Sequence, residues 1–363
     1  MESHSKNTKI IKTLMHNLKL NLIFSMLFCI VNSAFGQFEI NETKYIIYAV
    51  NTPKNISFAN EKTPINQLDI RERFDKEILI NTYWQSKTIL LIKRAEKYFP
   101  IIEPILKQYN IPDDFKYLAL AESGLENITS PSGAKGFWQI LKKTGIELNL
   151  EINQDIDERY HLEKSTEAAC IYIKQAYEMF KNWTLAAAAY NMGPYGLKKA
   201  IEQQQVNNYY DLMLNDETYR YVFRILALKE ILENRELYGF IINENDYYQT
   251  NKLHSIKVDT AIHNIAEFAL EKKHNYKILK QHNPWILGNK LPNPNNQLYF
   301  IKLPNNNYKL QNNTDTIIYI CKAKENLFEI ARKNNVSVDE ILLWNNIIPS
   351  KKLKKNQEII ILK

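Results

Sequence analysis

The chain has 363 residues, 45% hydrophobic and 24% charged, enough for two or three domains with real cores. Its formal net charge is +7, of which the lysine-bearing first 36 residues supply +3; the rest is a mild, scattered basic bias, compatible with an anionic polymer but without any nucleic-acid motif. The 7 histidines and 3 cysteines show no His-Glu-x-x-His or Cys-x-x-Cys spacing, so neither a metal nor another cofactor is expected.

In chain order, a basic start leads into the short apolar run Leu20–Val31 and then small residues at Ala34 and Gly36. That is the pattern of a cleaved secretory signal over residues 1–36, and the run is shorter than the roughly 20 residues that span a bilayer. Cys29 ends no lipidation pattern, because bulky Phe28 stands before it. Cys170 and Cys321 sit among apolar residues and read as small core side chains. Residues 37–66 read as an extended lead-in with Asn-Thr-Pro and Thr-Pro turn signals. A helical pattern runs from Ile70 to Phe99, Pro100 is expected to interrupt it, and Ile101–Tyr109 gives a further short helix.

Next comes Ile111-Pro-Asp-Asp-Phe-Lys-Tyr-Leu-Ala-Leu-Ala-Glu-Ser-Gly124. Pro112 and the two aspartates suit a helix start, and Gly124 suits its left-handed stop. Phe115, Leu118, Ala119 and Glu122 share one face, and the opposite face is hardly more polar. A carboxylate in such a helix either has a partner or has its pKa raised for work. The helix alone favours the first reading, a salt-bridged core acid.

A Ser/Pro/Gly-rich passage, 127–139, reads as a folded loop. Ser165 or Thr166 is expected to cap the next helix, with Glu167 in its first turn. Leu185–Tyr190 contains four alanines and ends at Asn191-Met-Gly-Pro194, and another helix starts near Asn215 or Asp216. Residues 70 to about 240 are therefore helix and loop. A polar link, 241–252, then leads to two strand-helix-helix-strand units, 253–304 and 317–363, with Asn283 and Asn345 in matching places.

Glu122-Ser-Gly, Gly133-Ala-Lys-Gly-Phe-Trp-Gln-Ile140, Ala189-Tyr-Asn-Met-Gly-Pro194 and Glu217-Thr-Tyr-Arg-Tyr-Val222 form an ordered set over roughly residues 67–240. This set resembles the soluble-lytic-transglycosylase (SLT) family of peptidoglycan-cleaving enzymes. Ile330-Ala331, Val336-Ser-Val338, Trp344-Asn345 and Gln357 resemble a LysM domain, a module that binds N-acetylglucosamine-containing glycan. Lys324-Glu-Asn-Leu327 departs from the usual Gly-Asp-Thr-Leu turn, and Asn356 replaces a usual Gly. The resemblance implies a multidomain chain: a mainly α lysozyme-like catalytic domain over 67–240, a degenerate LysM-like unit over 253–304, and a C-terminal βααβ LysM domain over 317–363.

It further implies that Glu122 is the catalytic acid and base for the β-1,4 bond between N-acetylmuramic acid and N-acetylglucosamine, leaving 1,6-anhydromuramic ends. No second motif acid stands beside Glu122, which suits attack by the substrate's own 6-hydroxyl. Ser130 matches a serine that positions the N-acetyl group, or is a turn serine. Gln139 contacts sugar or holds the loop. Tyr190 presents a hydroxyl to substrate or acid, Asn191 binds or caps, Glu217 binds glycan or suits a helix first turn, and Tyr221 aligns with the motif tyrosine. Phe137, Trp138 and Trp344 read as core, and Asp157 with Arg159 as a structural ion pair. The expected partner is the peptidoglycan glycan strand, with N-acetylglucosamine-containing glycan at the LysM domain. The expected location is beyond the inner membrane, periplasmic or outer-membrane associated. The alternatives are a hydrolytic muramidase of the same fold and an inactive wall-binding protein.

Overall fold

The computed structural model describes residues 47–305, 316–323, 325–345, 347 and 353–362. The signal-peptide and Cys29 readings, the first part of the lead-in and Lys324 of the LysM turn lie outside them. From Val50 onward the chain forms one unit of contacts.

The lead-in is not merely extended. β1 (Ser57–Phe58) and β2 (Glu61–Lys62) make a tight hairpin, turned by Ala59 and Asn60 at positive φ. Phe58 is fully buried with its ring edge-on to Phe115, so this segment is part of the main helical core. Glu61 reaches across to accept the Trp183 and Thr184 N–H groups, 2.6 and 2.8 Å away, at a helix start with unsatisfied donors. Periodicity could not find this, because two-residue strands carry no pattern.

α1 (Leu68–Tyr83) and α2 (Gln85–Gln108) follow, separated at Trp84, where φ is −88° and ψ is 59°. Pro100 does not interrupt α2, and neither does Pro104. Glu96 and Pro100, whose carbonyls lose their i+4 donors, both lie on the exposed side of the helix, where water can replace the missing N–H. Leu91, Ile92, Ala95, Phe99, Ile102 and Leu106 bury the other face and hold the helix together through both prolines.

α3 (Lys116–Ser123) is entered by a 3-10 turn, Asp113–Phe115, and stopped by Gly124 at φ +63°. After α4 (Lys142–Glu147), α5 (Leu162–Phe180) begins earlier than expected. His161 is its cap, and Ser165 and Thr166 instead donate back to the Leu162 carbonyl. α6 (Trp183–Met192) is capped by Asn182 and ends at Gly193; α7 (Pro194–Gln204) restarts at once with Pro194 in its first turn. α8 (Asp216–Glu233) is capped by Asn215. The small Ala186–Ala189 side chains are all fully buried, which lets α6 lie close to its neighbours inside one apolar core.

Two small units complete the chain. The first has β3 (Leu253–Val258), α9 (Ile265–Glu271), α10 (Tyr276–His282) and β4 (Tyr299–Pro304). The second has β5 (Thr316–Ile320), α11 (Leu327–Asn334), α12 (Val338–Asn345) and β6 (Glu358–Leu362). Each strand pair is antiparallel. Asn283 and Asn345 do the same work. Each side chain donates to a helical carbonyl and exchanges two bonds with the last strand, Asn283 with Lys302 and Asn345 with Ile360. Asn356 takes φ +65°, the conformation that the missing glycine would supply. Trp344 packs against the second unit's core.

Candidate active site

Phe115, Leu118 and Ala119 are buried on one face of α3 and its lead-in, as the spacing requires. Glu122, on that same face, is only half-buried at the helix's open end. Its partner is Tyr221 on α8, whose buried hydroxyl donates to the Glu122 Oε1. Burial of the carboxylate pushes its pKa up to about 7, against the Tyr221 hydrogen bond, which favours the ionised form. The Glu217 carboxylate raises it further and the Arg224 guanidinium lowers it. Glu122 is thus neither the salt-bridged core acid that the helix alone suggests nor an ordinary surface carboxylate. It can hold a proton near neutrality.

This gives a sign for Tyr221→Phe. Removing the hydroxyl removes a stabiliser of the carboxylate, so the Glu122 pKa rises, by about one unit if the bond contributes about 1.5 kcal/mol. The alkaline limb of activity should move to higher pH in a kcat/KM profile; a downward move would contradict the arrangement.

The loop 127–140 lies alongside. Lys135 bridges to both Thr129 and Ile140, so the loop folds into three short runs. Ser123, next to the acid, donates to the Phe137 carbonyl at 2.7 Å and ties the helix end to this loop. Gly136 sits at φ +79°, where an added Cβ would meet the Arg159 carbonyl oxygen at 1.9 Å, so no other residue fits. Gln139, at φ +48°, donates to Gly136 and Ile128 carbonyls at 2.8 and 3.2 Å and holds the loop. Ser130 accepts from the Ala134 N–H at 3.0 Å and lies 2.9 Å from Ser132 Oγ, the turn role. Trp138 is fully buried, with its indole N–H on Thr166.

Of the other residues singled out in the sequence, Tyr190 donates to the Trp138 carbonyl at 2.7 Å rather than to the acid. Tyr221, the residue aligned with the motif tyrosine, is 1% exposed, and its hydroxyl is engaged with Glu122. Asn191 accepts from Thr218 at 2.7 Å and donates to Glu217 at 3.3 Å, cross-linking the end of α6 to the start of α8. Glu217 is exposed, and it is close enough to Glu122 to raise its pKa, so a second carboxylate does border the site. Arg224 was not singled out. Glu217, Tyr221 and Arg224 stand at i, i+4 and i+7, one helix face, and that spacing was readable. Asp157 and Arg159 do form the buried ion pair read from sequence. Among the described residues there is no cluster of three or more metal-ligating side chains, and no helix is long and apolar enough to cross a membrane. Cys170 and Cys321 are buried and unlinked.

The chain matches three family models: Transglycosylase SLT domain over residues 99–213, Soluble lytic transglycosylase C-terminal LysM-like domain over 254–307, and LysM domain over 319–362. It therefore carries a helical SLT catalytic domain followed by LysM-like units, the domain set of a peptidoglycan lytic transglycosylase. Membrane-bound lytic murein transglycosylase D of Escherichia coli strain K12 is 27% identical over 318 residues, covering 80% of this chain and 68% of that one. The protein of the same name from a second Escherichia coli strain gives the same figures. An X-ray structure of lytic transglycosylase Slt from Pseudomonas aeruginosa is 18% identical and overlaps 41% of this chain and 26% of that one, with a TM-score of 0.30.

Proposed function

We propose that this protein cleaves the β-1,4 bond between N-acetylmuramic acid and N-acetylglucosamine without water, leaving 1,6-anhydromuramic ends, with Glu122 as acid and then base. The observation that carries the reading is the placement of Glu122, half-buried at the end of α3 with the buried Tyr221 hydroxyl on its Oε1, a setting that raises its pKa to about 7. A carboxyl group protonated near neutrality can give its proton to the glycosidic oxygen as the C1–O4 bond breaks and positive charge develops on the muramic ring. The same logic governs the acid of lysozyme, whose carboxyl group is likewise held in apolar surroundings. The substrate's N-acetyl oxygen stabilises C1. The 6-hydroxyl then forms the C1–O6 bond and returns its proton to the Glu122 carboxylate. Tethering supplies a large effective concentration against solvent.

Tyr221 holds the acid in place, and Gln139 and Tyr190 hold the loop beside it through carbonyls of Gly136, Ile128 and Trp138. Ser130, Asn191 and Glu217 are the residues left to meet sugar. Residues 67–240 form the catalytic region, extended by the 56–65 hairpin; 253–304 and 317–363 are the LysM-like units. The last of these holds glycan strands and raises the local substrate concentration. The relative named as membrane-bound supports an envelope location, periplasmic or at the outer membrane.

A rate that falls as pH rises through about 7, measured as release of soluble fragments from purified peptidoglycan, tests the acid. A rate rising through that range would overturn it. For the anchor, protein lacking 317–363 should sediment less with insoluble peptidoglycan while still cutting short soluble fragments; unchanged sedimentation would remove the anchoring role. A hydrolytic reading has one observation in its favour, the Glu217 carboxylate bordering Glu122, where it could activate water.

A further inference from the structure

The segment 151–160 lies between the catalytic loop and the first LysM-like unit and is bonded to both. On the unit's side, Asp157 N–H donates to the Trp285 carbonyl at 2.9 Å, Leu287 N–H donates to the Asp155 carbonyl at 2.8 Å, and Ile156 and Ile286 pair as an antiparallel bridge. Ile156 is fully buried in the unit's own core. Tyr299 on β4 donates to Glu151 at 2.9 Å, and Lys302 pairs with Glu163 at the start of α5. The connection from α10 to β4 is therefore occupied by the catalytic region.

On the catalytic side, Arg159 is buried and its donors are shared out. Nε and Nη2 go to the Asp157 carboxylate at 2.8 and 2.7 Å, and Nη1 goes to the Gly133 and Ile140 carbonyls, each at 3.2 Å. One guanidinium thus ties together two points of the loop, one on either side of Gln139 and its neighbour Trp138. The adjoining Tyr160 accepts from Asn127 and its hydroxyl meets that of Thr129, so the same turn holds the loop's beginning. The loop's own tie to the acid is the Ser123 bond to Phe137.

We infer that the first LysM-like unit is a brace on the catalytic loop, and that Arg159 is the positioning residue passing its constraint to the loop beside Glu122. This deepens the proposed function and rests on it for the catalytic consequence, though the mechanical link stands on the hydrogen bonds alone. A rigid loop next to the acid matters because small displacements of a reacting geometry cost large factors in rate.

The test uses the full chain in two variants. Arg159→Lys keeps the charge and loses the fork that reaches four acceptors at once. Tyr299→Phe with Lys302→Ala loosens the unit from outside the loop, since it removes the side-chain ties to Glu151 and Glu163. Amide hydrogen exchange over residues 127–140 should speed up by about tenfold in Arg159→Lys and severalfold in the double variant. On a short soluble glycan fragment, kcat should fall by roughly tenfold in the former with KM little changed. Unchanged loop exchange in the double variant overturns the brace, whatever becomes of Arg159→Lys, and faster exchange with an undiminished kcat overturns the catalytic role of the brace. A wild type that leaves every glycan intact sinks the proposed function instead, and the exchange arm still reads the brace.

Discussion

Glu122→Gln should lower peptidoglycan cleavage by about 10³-fold, the scale of a lost general acid, while the protein still folds. The amide keeps an oxygen for the Tyr221 hydroxyl, so the local bond survives. The same substitution should stabilise the fold in a pH-dependent way. Burial raises the Glu122 pKa from 4.5 to about 7, so ionising it costs more in the folded state than in the unfolded one. Its contribution is fully present below pH 4.5 and is lost as pH rises through about 7. The variant should therefore match the wild type near pH 4 and exceed it by about 2–3 kcal/mol at pH 8 in urea unfolding. Equal stability at both pH values would mean that Glu122 is not held in a strained, desolvated state.

The largest loss of stability is expected from Asp157→Ala. Burial on its own would raise the Asp157 pKa, but the Arg159 hydrogen bonds and charge, with those of Lys135, outweigh it and hold it below the ordinary value. Removing the carboxylate leaves the Arg159 guanidinium buried with two donors unpaired, at a cost of about 3–5 kcal/mol. The pair's pH dependence follows from the lowered pKa. Its stabilisation is present above the unfolded carboxyl's range and is lost as pH falls through the folded value. The exposed pair Lys143–Glu147, 3.9 Å apart, serves as a control, where Lys143→Ala should change stability by under about 1 kcal/mol. Thermal unfolding of both variants checks the contrast, and similar small losses in the two would contradict it.

Much of this was legible because the sequence states it locally. Apolar positions three and four apart gave α3 and α8, Asn215 marked the start of α8, and Asn283 and Asn345 fell in matching places of the two small units. What escaped depends on partners distant in sequence. Nothing near Pro100 says that Glu96, whose carbonyl it frees, lies on the exposed side of the helix, and nothing near Phe58 says that Phe115 covers it. Within the site, motif spacing brought Glu122, Gln139 and Tyr190 to one region but could not assign hydroxyls. Tyr221, not Tyr190, turned out to serve the acid, and Arg224 was overlooked although it shares a face with Glu217. The placement of Glu217 also qualifies the sequence reading that no second acid stands by, since spacing along one chain does not reveal what two helices bring together.

That carboxylate makes product chemistry the deciding quantity. The measurement is mass analysis of the fragments released from purified peptidoglycan by the wild type, by Glu217→Gln and by Glu122→Gln. Muramic ends one water lighter than hydrolysis gives are expected from the wild type and Glu217→Gln alike, with almost no product from Glu122→Gln. Full-mass reducing ends from the wild type, lost in Glu217→Gln, would contradict water-free cleavage by a single acid.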